Sequence, residues 1–293
     1  MPEAVAYQLH ERLWTRAKPE RQALSQRYPF LKGPAIALRR VHRALKNLLT
    51  LPTLRKCAYL PAVIARHSSV LFRKPADITD VMQQNKVSNL TIAVAKLDGL
   101  VITPGKTFSL WHTLGSVTRR KGYVDGMLLS NGKVSSGLGG GLCQLSNFLY
   151  WIFLHAEMEI VERHHHSIDV FPDYNRTLPF GSGATVFSNY LDLQAKNISS
   201  QPLQLKLWLT DTLLKGQLLS SAPSPKKFHV LERNHCFVQH GATCYRYNEL
   251  HRETHELGRL TKDEQIIVNL APVLYPVTKE YLSQGKHELF VIE

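Results

Sequence analysis

Residues 135–158 read Ser135-Ser136-Gly137-Leu138-Gly139-Gly140-Gly141-Leu142-Cys143-Gln144-Leu145-Ser146-Asn147-Phe148-Leu149-Tyr150-Trp151-Ile152-Phe153-Leu154-His155-Ala156-Glu157-Met158. Four glycines crowd the first seven positions. Behind them Leu145, Phe148, Leu149, Ile152, Phe153 and Ala156 recur at spacings of three and four, which predicts a buried helix over 142–158 entered through a glycine turn. The next stretch, Glu159 to Val170, reads as extended. Upstream, Val87, Leu90, Ala93, Val94 and Leu97 predict a helix over 85–98 that Asp98-Gly99 stops. Leu100-Val101-Ile102 is a short strand, Pro104-Gly105 a turn, and Thr107 to Trp111 a second strand. Gly115 to Gly141 reads as loop with short extended pieces. Downstream, Leu203 to Leu209 alternates apolar and polar as a half-buried strand does, and Gln265 to Leu270 and Leu289 to Ile292 are further strands. Strand runs with separate helices predict an α+β fold, a mixed helix and antiparallel-sheet core preceded by a basic helical segment. Three parts are expected: a basic, mostly helical segment over 1–80, a core domain over 81–215, and a strand-rich extension over 216–293.

Composition narrows the possible functions. The chain has 293 residues, 44% of them hydrophobic and 20% charged, which excludes wholesale disorder, collagen and coiled coil. No apolar run approaches the roughly 20 residues of a membrane span. The first 30 residues contain no apolar core of a secretory signal, so a cytoplasmic location is expected, peripheral at the inner face of the membrane. The net charge of +13 is uneven: residues 1–74 hold 15 Lys+Arg against 3 Asp+Glu, and the remainder is nearly balanced. Such a segment suits a solvated helical face or an anionic membrane surface, and Arg39 to Leu49 fits an interfacial amphipathic helix. Nucleic acid is not expected, because no finger spacing or aromatic-basic pattern accompanies the charge.

Cys57, Cys143, Cys236 and Cys244 form no CxxC pair, so no structural zinc site is expected and the thiols should be free in a reducing compartment. Gly126 to Lys133 is one residue too long for a phosphate-binding loop, and Val134 stands where Ser or Thr should hold magnesium. Gly137 to Leu142 lacks the third glycine of a dinucleotide site. No cofactor is expected.

Cys143 is the residue to which the spacing assigns chemistry. It falls in the first turn of the helix, where unpaired N–H groups and the helix dipole favour a thiolate and can hold an oxyanion. The glycines leave room for a close-approaching substrate. The alternative is an inert, buried cysteine at a tight turn. In Arg163-His164-His165-His166, period-two alternation puts His164 and His166 on one side of the extended segment and Arg163 and His165 on the other. One histidine would be the base for a cysteine nucleophile, oriented by Asp169, Asp173, Asp192 or an Asn. The competing reading is a zinc hydrolase using Cys143, His164 and His166 as ligands.

Pro104 to Ser109, Gly139 to Ser146, Val161 to His166, Gly183 to Val186 and Asp192-Leu193 together resemble the VanW family over about residues 80–215. Arg27 to Leu31, Asn85 to Leu90 and Trp151 to His155 are similar too. The resemblance implies a bacterial protein associated with glycopeptide resistance and the cell envelope. It also implies an L,D-transpeptidase-like acyl transferase or amidase acting on peptidoglycan peptides or precursors. Cys143 would be the nucleophile, His164 or His166 the base and Asp192 an orienting group. Gly139, Gly140, Gly141, Gln144, Ser146 and Arg163 would contact substrate. A non-enzymatic protein that binds wall precursors at the inner membrane surface is the alternative. Many members carry Asp where this chain has Gly183.

Overall fold

A computed structural model describes residues 11, 30, 32–72, 80–130, 133–165, 168–169, 172, 178–187, 190–285 and 287–292. Contacts divide the chain into two units, residues 1–45 and 46–293. The elements in chain order begin with α1 (Lys32–Thr50), β1 (Arg55–Lys56), β2 (Ala62–Val70), α2 (Asp80–Leu97), β3 (Leu100–Ile102), β4 (Thr107–Ser109) and α3 (Leu110–Leu114). A hairpin of β5 (Asp125–Ser130) and β6 (Lys133–Leu138) leads into α4 (Leu142–Leu154), β7 (Met158–Glu162) and β8 (Gln194–Asn197). Then come β9 (Leu203–Leu209), β10 (Leu213–Ser220), β11 (Lys226–His240), β12 (Thr243–Glu256), β13 (Arg259–Pro272), α5 (Lys279–Gly285) and β14 (Glu288–Ile292).

The elements build an α+β fold. One sheet has the order β1-β3-β9-β10-β2, with every neighbouring pair antiparallel. A second, β4-β8-β7, is also antiparallel. The third, β13-β12-β11-β14, ends in a parallel pair because α5 carries the chain back before β14. The strand β2 lies inside the expected helical segment 1–80, and the expected limit at 215 falls within β10. Alternating burial explains β2: Ala65 is buried and His67 half-buried, while Arg66 and Ser68 are exposed.

The apolar stripe of α4 joins the first two sheets. Leu145, Phe148, Leu149, Ile152 and Phe153 are all buried. Gly216 on β10 leaves the space that the Phe148 ring occupies; a Cβ there would lie 2.8 Å from that ring. Phe153 meets Phe108 of β4 edge-on at 5.5 Å. On α2, Leu90, Ala93 and Leu97 are completely buried, and so is Asn89. Asn89 binds Val124 through both its amide groups and donates to Gly140 O at 2.9 Å, fastening the helix to the glycine turn.

Three sequence expectations change. The strand expected through Trp111 stops at Ser109, whose hydroxyl accepts the His112 N–H at 3.1 Å and caps α3. The extended run expected to reach Val170 leaves the sheet after Glu162. The helix after the glycines ends at Leu154, four residues early, where His155 Nδ1 bonds Trp151 O at 2.8 Å.

His67 of β2 lies 5.1 Å from the Phe148 ring and 6.3 Å from Trp151. Burial, followed by the charge of His155, lowers its pKa from 6.5 to about 4. The unfolded chain therefore binds a proton at this site before the folded one does, so stability rises with pH between about 4 and 6.5 and is lost as pH falls through that window. Unfolding midpoints in urea, measured from pH 7 down to pH 4, should fall less steeply for His67→Phe than for the native chain. Parallel slopes would remove His67 from the acid response.

Candidate functional site

Cys143 is the second residue of α4, whose N-cap is Gly141 in the left-handed region at φ 97°. The thiol donates to Val186 O at 3.5 Å. Two residues on the same helix grip the same short segment. Ser146 Oγ donates to Ala184 O at 2.7 Å, and Asn147 Oδ1 accepts the Ala184 N–H at 2.7 Å. From the other side, the Thr185 N–H donates to His164 O at 2.7 Å. The segment Ala184–Val186 thus lies between the start of α4 and the histidine run. The Thr185 hydroxyl is buried there and makes no hydrogen bond to the described residues.

His164 Nε2 stands 2.9 Å from Glu162 Oε1, and the same carboxylate oxygen accepts the Asp192 N–H at 3.0 Å. Glu162 therefore orients the imidazole, in the place expected for Asp192. The signal was in the sequence: the alternation that groups His164 with His166 puts Glu162 on the same side, with Arg163 on the other. Asp192 is fully buried and does another job. Its carboxylate accepts from Ser109 Oγ at 2.5 Å, the Trp111 N–H at 3.1 Å and Gln194 Nε2 at 3.1 Å. It ties α3 to β8, and burial above all raises its pKa. Asp169 lies apart, bound to Arg246 and Tyr275. His166 and Asp173 lie outside the described residues. His165 is exposed. Among the described residues no three His, Cys, Asp or Glu side chains are placed to share a metal ion.

Two expectations about Cys143 are corrected. Its pKa is raised, because burial outweighs the helix end. A helix terminus favours an anion by only about 0.3–1 kcal/mol, and the desolvation of a packed thiolate exceeds that. The resting group is a thiol. Several N–H groups expected to hold an oxyanion are also committed: Gly140 donates to Gly137 O, Gly141 to Met127 O, Leu142 to Gly139 O and Gln144 to Gly141 O.

The residues expected to touch substrate make internal contacts. Gly139, Gly140 and Gly141 are buried. A Cβ on Gly140 would lie 2.0 Å from the Gly126 carbonyl carbon, and one on Gly141 would lie 2.2 Å from the Lys86 side chain. Gln144 Nε2 donates to Ser69 Oγ at 2.9 Å and Val70 O at 2.8 Å, holding the end of β2. Arg163 donates to the carbonyls of Gly183 and Gly181, and its guanidinium lies 5.2 Å from the Tyr150 ring centre. Gly183 itself sits tight against Asn147, with 3.0 Å between a built Cβ and the amide oxygen. An Asp there would crowd the amide that holds Ala184. Asn89, Lys86 and Asn147 were not picked out as site residues. Their only sequence signal was a polar side chain on an otherwise buried helix face.

Residues 85–219 match the family model described as VanW like protein. The chain is 28% identical over 267 residues to the vancomycin B-type resistance protein VanW of Enterococcus faecalis (strain ATCC 700802 / V583), spanning 88% of this chain and 95% of that protein. It is 31% identical over 123 residues to the uncharacterized protein YoaR of Bacillus subtilis (strain 168), covering 42% of this chain and 39% of that one. No solved structure matches. The likeness to a vancomycin-resistance protein runs almost end to end, and the matched model takes in the glycine turn, Cys143, the histidine run and the segment they grip, so residues 85–219 of this chain form a VanW-like domain.

Proposed function

We propose that this VanW-like protein is a cell-envelope acyl transferase or amidase of the glycopeptide-resistance setting, with Cys143 as its nucleophile and peptidoglycan peptides or their precursors as substrate. One observation carries the reading. The Cys143 thiol and the main-chain carbonyl of His164, whose imidazole Glu162 holds, are hydrogen-bonded to one three-residue segment, Ala184–Val186. His164 takes the thiol proton as sulfur attacks a peptide carbonyl. Collapse of the tetrahedral adduct breaks the C–N bond, and the imidazolium gives its proton to the departing amine. The thioester then passes its acyl group to a second amine or to water. Because the resting thiol is protonated, a base must act in the attack itself.

Mass spectrometry of the native chain after incubation with a wall peptide, or with an electrophilic β-lactam, should find an acyl adduct on Cys143. Cys143→Ser should lose the adduct, and Glu162→Gln should slow its formation by about 10²-fold, the scale of general-base assistance. Exposed Cys57 gives the baseline thiol reactivity with iodoacetamide. A Cys143 that stays unmodified by both acyl donors while Cys57 alkylates overturns the proposal.

A second reading has its own support. The site's motif residues are spent on internal hydrogen bonds, which suits a non-enzymatic protein that binds wall precursors at the inner membrane surface. Full resistance in cells carrying Cys143→Ala would favour it.

A further inference from the structure

The helix α1 carries an apolar stripe along one side. Leu38, Val41, Leu45, Leu48 and Leu49 are 71, 56, 57, 71 and 84% exposed. At 3.6 residues per turn these five fall within an arc of about 100°. The far side of the same helix holds half-buried Ile36, Arg40 and Arg43 and buried Asn47. A surface helix ordinarily turns its leucines inward, so this stripe calls for a covering surface. Charge identifies that surface. His42, Lys46 and Arg39 follow one another around one edge of the stripe, all exposed. The 19 residues of the helix contain no acidic side chain. An apolar stripe about five side chains long beside a cationic edge matches the boundary between acyl chains and anionic headgroups, where leucines enter the hydrocarbon and basic groups meet phosphates.

We infer that α1 is an interfacial helix that seats this protein on an anionic lipid bilayer through Leu38, Val41, Leu45, Leu48 and Leu49. The inference rests on α1 alone and not on the chemistry of Cys143. Full-length protein should co-sediment with vesicles of equal phosphatidylglycerol and phosphatidylcholine and partition far less onto pure phosphatidylcholine. Leu45→Asp/Leu48→Asp should reduce partitioning at least about tenfold. Arg39→Glu/Lys46→Glu should reduce it about tenfold on the anionic vesicles. All four positions are exposed, and circular dichroism should show both variants folded. Sedimentation velocity without lipid tests a second copy of the chain as the occupant. A dimer abolished by Leu45→Asp/Leu48→Asp, with no vesicle binding, overturns the inference and gives the stripe to self-association. Equal binding to both vesicle types, unaffected by the charge reversal, overturns the anionic-bilayer assignment. Absence of vesicle binding by the folded native chain overturns it outright.

Discussion

Gly140→Ala should destabilise the fold by about 3 kcal/mol or more, the upper range for overpacking, because the clash is with main chain. The added Cβ would stand 2.0 Å from the carbonyl carbon of Gly126 and 2.2 Å from its oxygen. A flexible side chain could swing aside from such a contact, but Gly126 is paired to Gly137 within the β5–β6 hairpin. Gly140 is also pinned, since its carbonyl accepts from the buried Asn89 amide. Relief would require the hairpin and α2 to separate. Gly105→Ala is the comparison: that residue, unlike Gly140, has positive φ, at 74°, and open space surrounds it, so its cost should be only the left-handed penalty of about 1–2 kcal/mol. Equilibrium urea unfolding of the three proteins measures both effects. Equal losses for Gly140→Ala and Gly105→Ala would show that the Gly126–Gly140 approach is not what the glycine serves.

That contact marks where sequence reasoning stopped. Apolar periodicity was enough to place α2, α4 and β9, and a short apolar run to place β3, because each contributes its apolar side chains to the core. The same reasoning missed β11 and β12 and caught only Gln265 to Leu270 of β13; these strands run 14 or 15 residues with charged ion-pairing side chains, such as Arg233 with Asp263 and Arg252 with Glu264. Cross-strand charge pairing leaves no apolar alternation to read. Cys143, Ser146 and the His164 carbonyl all bond the short segment Ala184–Val186. The sequence did not show what fills the site. Glycines that could admit a substrate are equally able to admit a neighbouring main chain, and in this fold they admit Gly126 and the Lys86 stem. The orienting carboxylate was misread as well. Glu162 reaches the imidazole by local alternation, two residues from His164, whereas the contact of Asp192 with the cap of α3 spans about 80 residues and no local pattern announces it.

The other large effect lies in the charged pair that joins the histidine-run loop to the last sheet. Arg246 is 2% exposed and Asp169 4%. Arg246 donates to Asp169 Oδ2 at 3.2 Å and to His235 Nε2 at 2.8 Å, with its guanidinium 4.8 Å from the Phe180 ring centre. Asp169 also accepts from the Tyr275 hydroxyl at 2.9 Å, and its main chain bonds Pro272 and Leu274. Burial costs each charge its hydration, and the partner returns that cost only while both are present. Arg246→Met keeps the volume and removes the cation, leaving the buried Asp169 carboxylate without its counter-charge. It should cost about 3–5 kcal/mol, as removal of one member of a buried pair does. Arg246→Met/Asp169→Leu removes both charges and should cost clearly less than the sum of the single changes, with a coupling of about 1–3 kcal/mol. Tyr275→Phe, which removes the hydroxyl that donates to Asp169 and accepts from Arg246 at 3.5 Å but leaves the pair, should cost about 1–2 kcal/mol. The set is read by denaturant unfolding with a double-mutant cycle. Additive single losses would mean that Arg246 and Asp169 do not share their burial cost, and that the pair is not what fastens Asp169 to the four-stranded sheet.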